Sequence, residues 1–162
     1  MIISEKASRI LYGMEFILFA LIPLCALAAW AVFYGAGSIL MFLFMLTALA
    51  GSNDSASLLE TLRNVAIFGA LIVLTGMGLI AILKFLRLSA AFVNQGTQAL
   101  QELRETYWRC LAWAALPLLA TTMLFPYADP DLSGGLLLFS GVTLCVPLFH
   151  LWLELRYRGN HG

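Results

Sequence analysis

Four long apolar stretches alternate with short polar ones along the chain. The first runs from about Leu11 to Tyr34, the second from Asn64 to Leu83, the third from about Tyr107 to Phe125 and the fourth from about Leu136 to Leu153. Each is long enough to cross a ~30 Å hydrocarbon layer as a helix rising 1.5 Å per residue. Gly35-Ala36-Gly37-Ser38 is expected to break the first helix. The apolar stretch that follows, Ile39 to Ala50, has about 12 residues, too few to span, and reads as a short interfacial or re-entrant segment. If it did span, the basic link further on would move to the outside, against the positive-inside rule. The predicted fold is all-α, a single domain of four transmembrane helices packed up and down.

The polar stretches supply start and stop signals. Ser57 and Glu60 form an S-x-x-E capping box at the entry to the second span. Between spans two and three lies a link, residues 84–106, in which Phe85, Leu88 and Phe92 share one helical face and Leu100, Leu103 and Tyr107 another. Asn94-Gln95-Gly96 is the natural turn, with Thr97 as N-cap. Two helices overshooting the membrane into a hairpin is the simplest reading; one amphipathic surface helix is the alternative. Ala128-Asp129-Pro130-Asp131 is a turn between spans three and four.

Charge orients the four spans. Lys6 and Arg9 precede the first span, Lys84, Arg87 and Arg104 lie in the link, and Arg156 and Arg158 follow the fourth. The other two loops hold Asp54, Glu60, Asp129 and Asp131, with Arg63 as their one cation. The positive-inside rule therefore places both termini and the link in the cytoplasm. Trp30, Tyr34, Tyr107, Trp108, Tyr127, Trp152 and Tyr157 fall near predicted span ends, as interfacial aromatic residues do. Lys6 and Arg9 before an apolar run, with Ala26-Leu27-Ala28 beyond, have the outline of a cleaved signal, but the run continues past the ~7–15 residues of a signal core.

Composition agrees with a bilayer as solvent. The chain of 162 residues is 62% hydrophobic and 11% charged, with a mean hydropathy of +0.92. A water-soluble domain is about 45–50% apolar and about 25% charged. Net charge is zero, which gives no electrostatic pull toward nucleic acid.

Ionisable residues at membrane depth are costly and are the first candidates for function. Glu15 lies early in span one, Arg109 early in span three and His150 late in span four, with Glu154 one turn beyond His150. The expected pairs are Glu15 with Arg109 and His150 with Glu154, in one cytoplasmic-side cluster. The competing reading is that each snorkels to headgroups. Pro23, Pro117 and Pro147 fall inside three spans and are read as kinks relieved by neighbouring helices. Gly69, Thr75, Gly76 and Gly78 suggest a close-packing face in span two, and Ser140 and Gly141 one in span four.

Several chemistries are disfavoured. Cys25, Cys110 and Cys145 sit singly in apolar runs, which argues against a disulfide framework, a thiol redox centre or a zinc site, and the outer loops lack the cysteine pairs of membrane disulfide-generating enzymes. Span-bound haem usually needs two axial histidines at depth, and His161 is in the tail. There is no H-E-x-x-H, G-x-S-x-G or P-loop, and no run of arginines within a span. A non-enzymatic protein without a cofactor is expected. It would bind another protein in or beside the bilayer, as an immunity factor or an accessory subunit does, with Met41, Phe42, Phe44 and Met45 as candidate contact residues. The link is a second candidate docking surface. The alternative is a small channel or proton-linked transporter that would have to oligomerise, because four short-looped helices leave little room for a pore.

Lys84-Phe85-Leu86-Arg87, Phe92-Val93-Asn94 and Ala99-Leu100, followed by Tyr107-Trp108, resemble the middle of a family of uncharacterised four-helix proteins of the bacterial inner membrane. The resemblance covers roughly residues 84–155. It implies two spans, a basic cytoplasmic link and two more spans, and no particular activity. The layout is also similar to that of membrane-embedded immunity proteins that protect bacteria from toxins attacking the inner membrane.

Overall fold

A computed structural model describes residues 4–51, 55–124 and 133–157, with side chains described for all of these except 55–56, 121–124 and 133–141. The protein is an all-α bundle. Helix α1 (Glu5–Glu15) passes through a π-helical segment (Phe16–Leu21) into α2 (Ile22–Gly51). Then come α3 (Ser55–Gln95), the short α4 (Thr97–Glu102), α5 (Arg104–Leu124) and α6 (Ser133–Tyr157). α2 packs along α3, α3 along α5, and α6 closes the bundle against α1, the π segment, α2, α4 and α5.

The break expected at Gly35-Ala36-Gly37-Ser38 does not occur. α2 runs through it, so Ile39–Ala50 is the continuation of a long helix and no separate segment. A glycine in a helix costs only about 1 kcal/mol relative to alanine, too little to interrupt a long apolar helix. Gly35 is used instead for close approach: a Cβ there would lie 3.0 Å from Thr75 Cγ2 of α3. Gly69 meets the Phe42 ring in the same way, while Gly76 and Gly78 have no such neighbour within 4 Å. On α3 the close approaches to α2 are therefore at Gly69 and Thr75, and the other two glycines make none. Trp30 and Tyr34, expected at a span end, lie within the continuous helix and stack with centroids 4.2 Å apart.

The capping box is also displaced. α3 begins at Ser55, so Ser57 lies inside the helix; Glu60 faces Arg63 across 3.9 Å, and the Thr61 hydroxyl donates to the Ser57 carbonyl. α5 and α6 continue through Pro117 and Pro147. Pro23 is the second residue of α2. Its missing N–H and its ring disturb the preceding turn, which is where the backbone is π-helical. The turn at 128–131 and the tail with Arg158 and His161 lie outside the described residues, and the side chains of Ser140 and Gly141 are not described.

The link forms a helical hairpin, with α3 turning into α4 and α5. Gly96 turns it with φ +88° and ψ −161°, a region only glycine occupies readily. Thr97 is the first helical residue and Gly96 holds the cap position. Side chains from α1 supply the caps. Glu5 Oε1 accepts the Thr97 N–H at 2.9 Å, and Arg9 donates through Nε at 2.8 Å, and through a second guanidinium nitrogen, to the Val93 carbonyl. Each satisfies a backbone group that a helix end leaves open, with the sign the helix dipole favours.

Candidate functional site

The most covered part of the molecule lies where α1, the end of α3, α4, the start of α5 and the end of α6 meet. Tyr12, Leu88, Phe92, Leu100 and Leu151 are fully buried there, and Phe85, Tyr107 and Cys110 nearly so. The Tyr12 ring stands edge-on to Phe92 at 5.2 Å and to His150 at 5.4 Å. Its hydroxyl shares a hydrogen bond with Ser89 Oγ at 2.6 Å. The Tyr107 hydroxyl donates to the Leu148 carbonyl at 3.2 Å, and Cys110 Sγ approaches the Ala81 carbonyl at 3.3 Å.

Within this core four polar groups form one connected line. Glu15 Oε2 is 2.8 Å from His150 Nδ1. His150 Nε2 is 3.0 Å from Ser8 Oγ. Ser8 Oγ is 2.5 Å from Glu154 Oε1. Ser8 is 3% exposed, and the side chains of His150 and Glu15 are 14% and 22% exposed. Ser8, Tyr12 and Glu15 rise along one face of α1 at spacings of four and three residues, and His150 and Glu154 along one face of α6 at a spacing of four. The two faces meet, which brings the groups together.

Three of the four expected cluster residues are therefore together: Glu15, His150 and Glu154. The fourth is not. Arg109 Nη2 pairs with Glu105 Oε2 of its own helix at 3.0 Å, and both side chains are well exposed. Glu15 finds His150, not Arg109. His150 reaches Glu154 only through Ser8, which hydrogen-bonds to both. Pattern reading passed over Ser8 because a serine near a terminus carries no cost signal. Its register with Glu15, seven residues and two turns on, was the available clue.

A hydroxyl on Nε2 and a carboxylate on Nδ1 is the order found around an activated serine nucleophile. Here, however, the serine is buried and is engaged by Glu154 on its other side. Oγ is thus enclosed by its partners, and the line is suited to exchanging protons. Among the described residues, no three His, Cys, Asp or Glu side chains are grouped so as to hold a metal ion. The cysteines are free; Cys110 is buried, and Cys25 and Cys145 are exposed.

The expected contact residues on α2 divide by face. Met41 and Phe44 are exposed, whereas Phe42 and Met45 are half-buried, with Phe42 turned to Gly69 of α3. On the link, an open groove of about 350 Å³ between α3 and α4 is lined by Arg87, Asn94, Gln95, Glu102 and small apolar side chains. The chain matches no protein-family model, no curated protein and no solved structure.

Proposed function

We propose that the protein is an integral membrane protein of four spans with both termini in the cytoplasm, in a bacterial inner membrane, and that it acts by binding another membrane protein. Two helices among the described residues, Glu5–Gly51 and Ser57–Gln95, are long and apolar enough to cross a bilayer, and only 22% and 6% of their most apolar windows is buried. Helices at the core of a water-soluble protein would be mostly covered. α5 and α6, at 21 and 25 residues, are about 32 and 38 Å long, enough for a ~30 Å hydrocarbon layer.

The observation that carries the binding reading is the apolar face where α2 ends and α3 begins. α3 has 41 residues and is about 61 Å long; its last 12, residues 84–95, belong to the cytoplasmic link, and the other 29, about 44 Å, match the ~40–45 Å of a bilayer with its headgroups. The end of α2 and the start of α3 therefore sit at the outer headgroup level, and they carry exposed Leu43, Phe44, Leu46, Leu58, Leu59 and Leu62. Apolar side chains at that depth gain from a protein partner, and a helix of a second membrane protein is the occupant that fits a helical apolar face. An immunity factor or an accessory subunit would work this way.

The test is capture of tagged full-length protein from its native membrane, followed by native mass measurement, for wild type, Phe44→Ser and a control, Phe33→Ser, lower on the same helix. A stoichiometric foreign subunit lost only with Phe44→Ser supports the reading. A homo-oligomer with no foreign subunit, or equal capture by all three, overturns it. A homo-oligomer would favour a small channel or proton-linked transporter, for which the Glu15–His150 pair is the supporting observation. Liposome flux lost on neutralising Glu15 and His150 is the corresponding check.

A further inference from the structure

The line from Glu15 to Glu154 has a property that neither an ordinary salt bridge nor an isolated interhelical hydrogen bond has. Both of its ends are carboxylates, and both of its middle members, an imidazole and a hydroxyl, can donate and accept at once. We propose that Glu15, His150, Ser8 and Glu154 form a proton-relay site that passes one proton between Glu154 and Glu15. The inference extends the proton-linked reading of the cluster and is independent of partner binding.

Three hydrogen bonds require three protons on the linked atoms, and two complete arrangements keep the imidazole neutral; a third of the same total charge lies between them, in which an imidazolium donates to Ser8 Oγ and to the Glu15 carboxylate while the Ser8 O–H donates to the Glu154 carboxylate. In the first, a Glu154 O–H donates to Ser8 Oγ, the Ser8 O–H donates to His150 Nε2, and Nδ1–H donates to the Glu15 carboxylate. In the second, the Ser8 O–H donates to the Glu154 carboxylate, Nε2–H donates to Ser8 Oγ, and a Glu15 O–H donates to Nδ1. One step by each proton converts the first into the second. Glu154 loses a proton, Glu15 gains one, and the imidazole changes tautomer. Total charge is −1 in both arrangements, all three links survive, and no co-reactant is needed. Histidine suits the central place because its two nitrogens exchange roles at little cost.

The surroundings hold the line in place. On α1, the Tyr12 ring packs edge-on to the imidazole, and its hydroxyl is occupied by Ser89 of α3. Phe92 of α3 lies 6.1 Å from the imidazole. From α5, Tyr107 is engaged by the Leu148 carbonyl. Three arginines of the packed helices are directed elsewhere: Arg9 to the Val93 carbonyl, Arg109 to Glu105, and Arg156 over the Trp152 ring at 5.0 Å. The line also has a direction. Glu154 is three residues from the described end of α6, whereas Glu15 is seven residues, about 10 Å, further along α1 than Ser8. It therefore leads from the cytoplasmic end of the bundle toward its interior, and it stops where the π-helical segment begins at Phe16. Local π-helix inside an α-helix is common at functional sites.

Ser8 is the link whose removal takes away no ionisable group, so it separates relay from mere packing. The chain has two histidines, and His161→Gln leaves His150 as the sole imidazole signal. Full-length protein labelled with ¹⁵N-histidine in lipid nanodiscs reports the Nδ1–H to Nε2–H ratio as pH is varied. With Ser8 present, Glu154→Gln is expected to change that ratio and its pH course. In Ser8→Ala, Glu154→Gln is expected to have no effect, and Ser8→Thr, which keeps the hydroxyl and guards against a folding defect, should restore the response. The proposal is overturned if Glu154→Gln leaves the His150 signal unchanged while Ser8 is present, or changes it equally in Ser8→Ala. Loss of stability in these variants with an unaltered His150 titration would mark the cluster as structural and would also overturn it.

Discussion

The two ends of the bundle are built differently. At the link end, five helical elements converge, aromatic rings pack edge to face, and polar side chains on α1 cap the turn between α3 and α4. At the far end, α2 and α3 run on beside each other with large apolar side chains exposed, and they touch as a pair, through contacts such as Phe42 on Gly69. One end is held by complementary shape and satisfied hydrogen bonds. At the other, the chain leaves large apolar side chains uncovered. Apolar content therefore does not locate the covered part of the bundle; side chains hydrogen-bonded between helices mark it.

The sharpest way to break the comparison is to empty one position at each end. Phe92→Ala, at a fully buried site, should cost about 3–5 kcal/mol in detergent unfolding. Phe44→Ala, 63% exposed, should stay within about 0.5 kcal/mol. Similar losses at both positions would remove the distinction. At the link turn, Gly96→Ala puts a Cβ against the Glu5 carboxylate at a positive φ and should cost about 1–3 kcal/mol. Hydrogen exchange of the Thr97 amide should rise with it.

Coupling sharpens the contrast further. Glu15→Gln and His150→Gln should be non-additive by about 0.5–3 kcal/mol, because they act on one hydrogen-bonded pair. Glu15→Gln and Arg109→Gln should add within about 0.5 kcal/mol, since Arg109 belongs to Glu105. Arg109→Gln alone should cost about 0.3–0.5 kcal/mol, the worth of an exposed i,i+4 pair. One effect has the opposite sign. Gly37→Ala meets nothing within 4 Å and should stabilise α2 by up to about 1 kcal/mol through helix propensity. The same change at Gly35 presses on Thr75 and should gain nothing.

Most of the helices were legible from hydrophobic runs, because apolar runs of that length are too long to be strands. The hairpin at Gly96 was legible too: Asn94-Gln95-Gly96 interrupts two amphipathic faces, and only the glycine tolerates the turn. The continuity of α2 was not legible. A cluster of small residues reads as a break when taken alone, yet Gly35 is a contact point whose meaning depends on Thr75, 40 positions away. Ser57 and Glu60 likewise match a capping pattern that the preceding residues of α3 override.

For the site, the chain's own pattern was enough to mark Glu15, His150 and Glu154, since ionisable groups in apolar runs are costly wherever the helices go. It also determined the helical character of the protein and the faces those residues share. Which groups meet was decided only by the tertiary structure. α6 lies against α1, so the Glu15 carboxylate faces His150, while α5 is turned so that Tyr107 and Cys110 point inward and Arg109 outward. Partner choice depends on the neighbour and the rotation of each helix. Both are set by packing across the whole bundle, and no local run of residues contains that information.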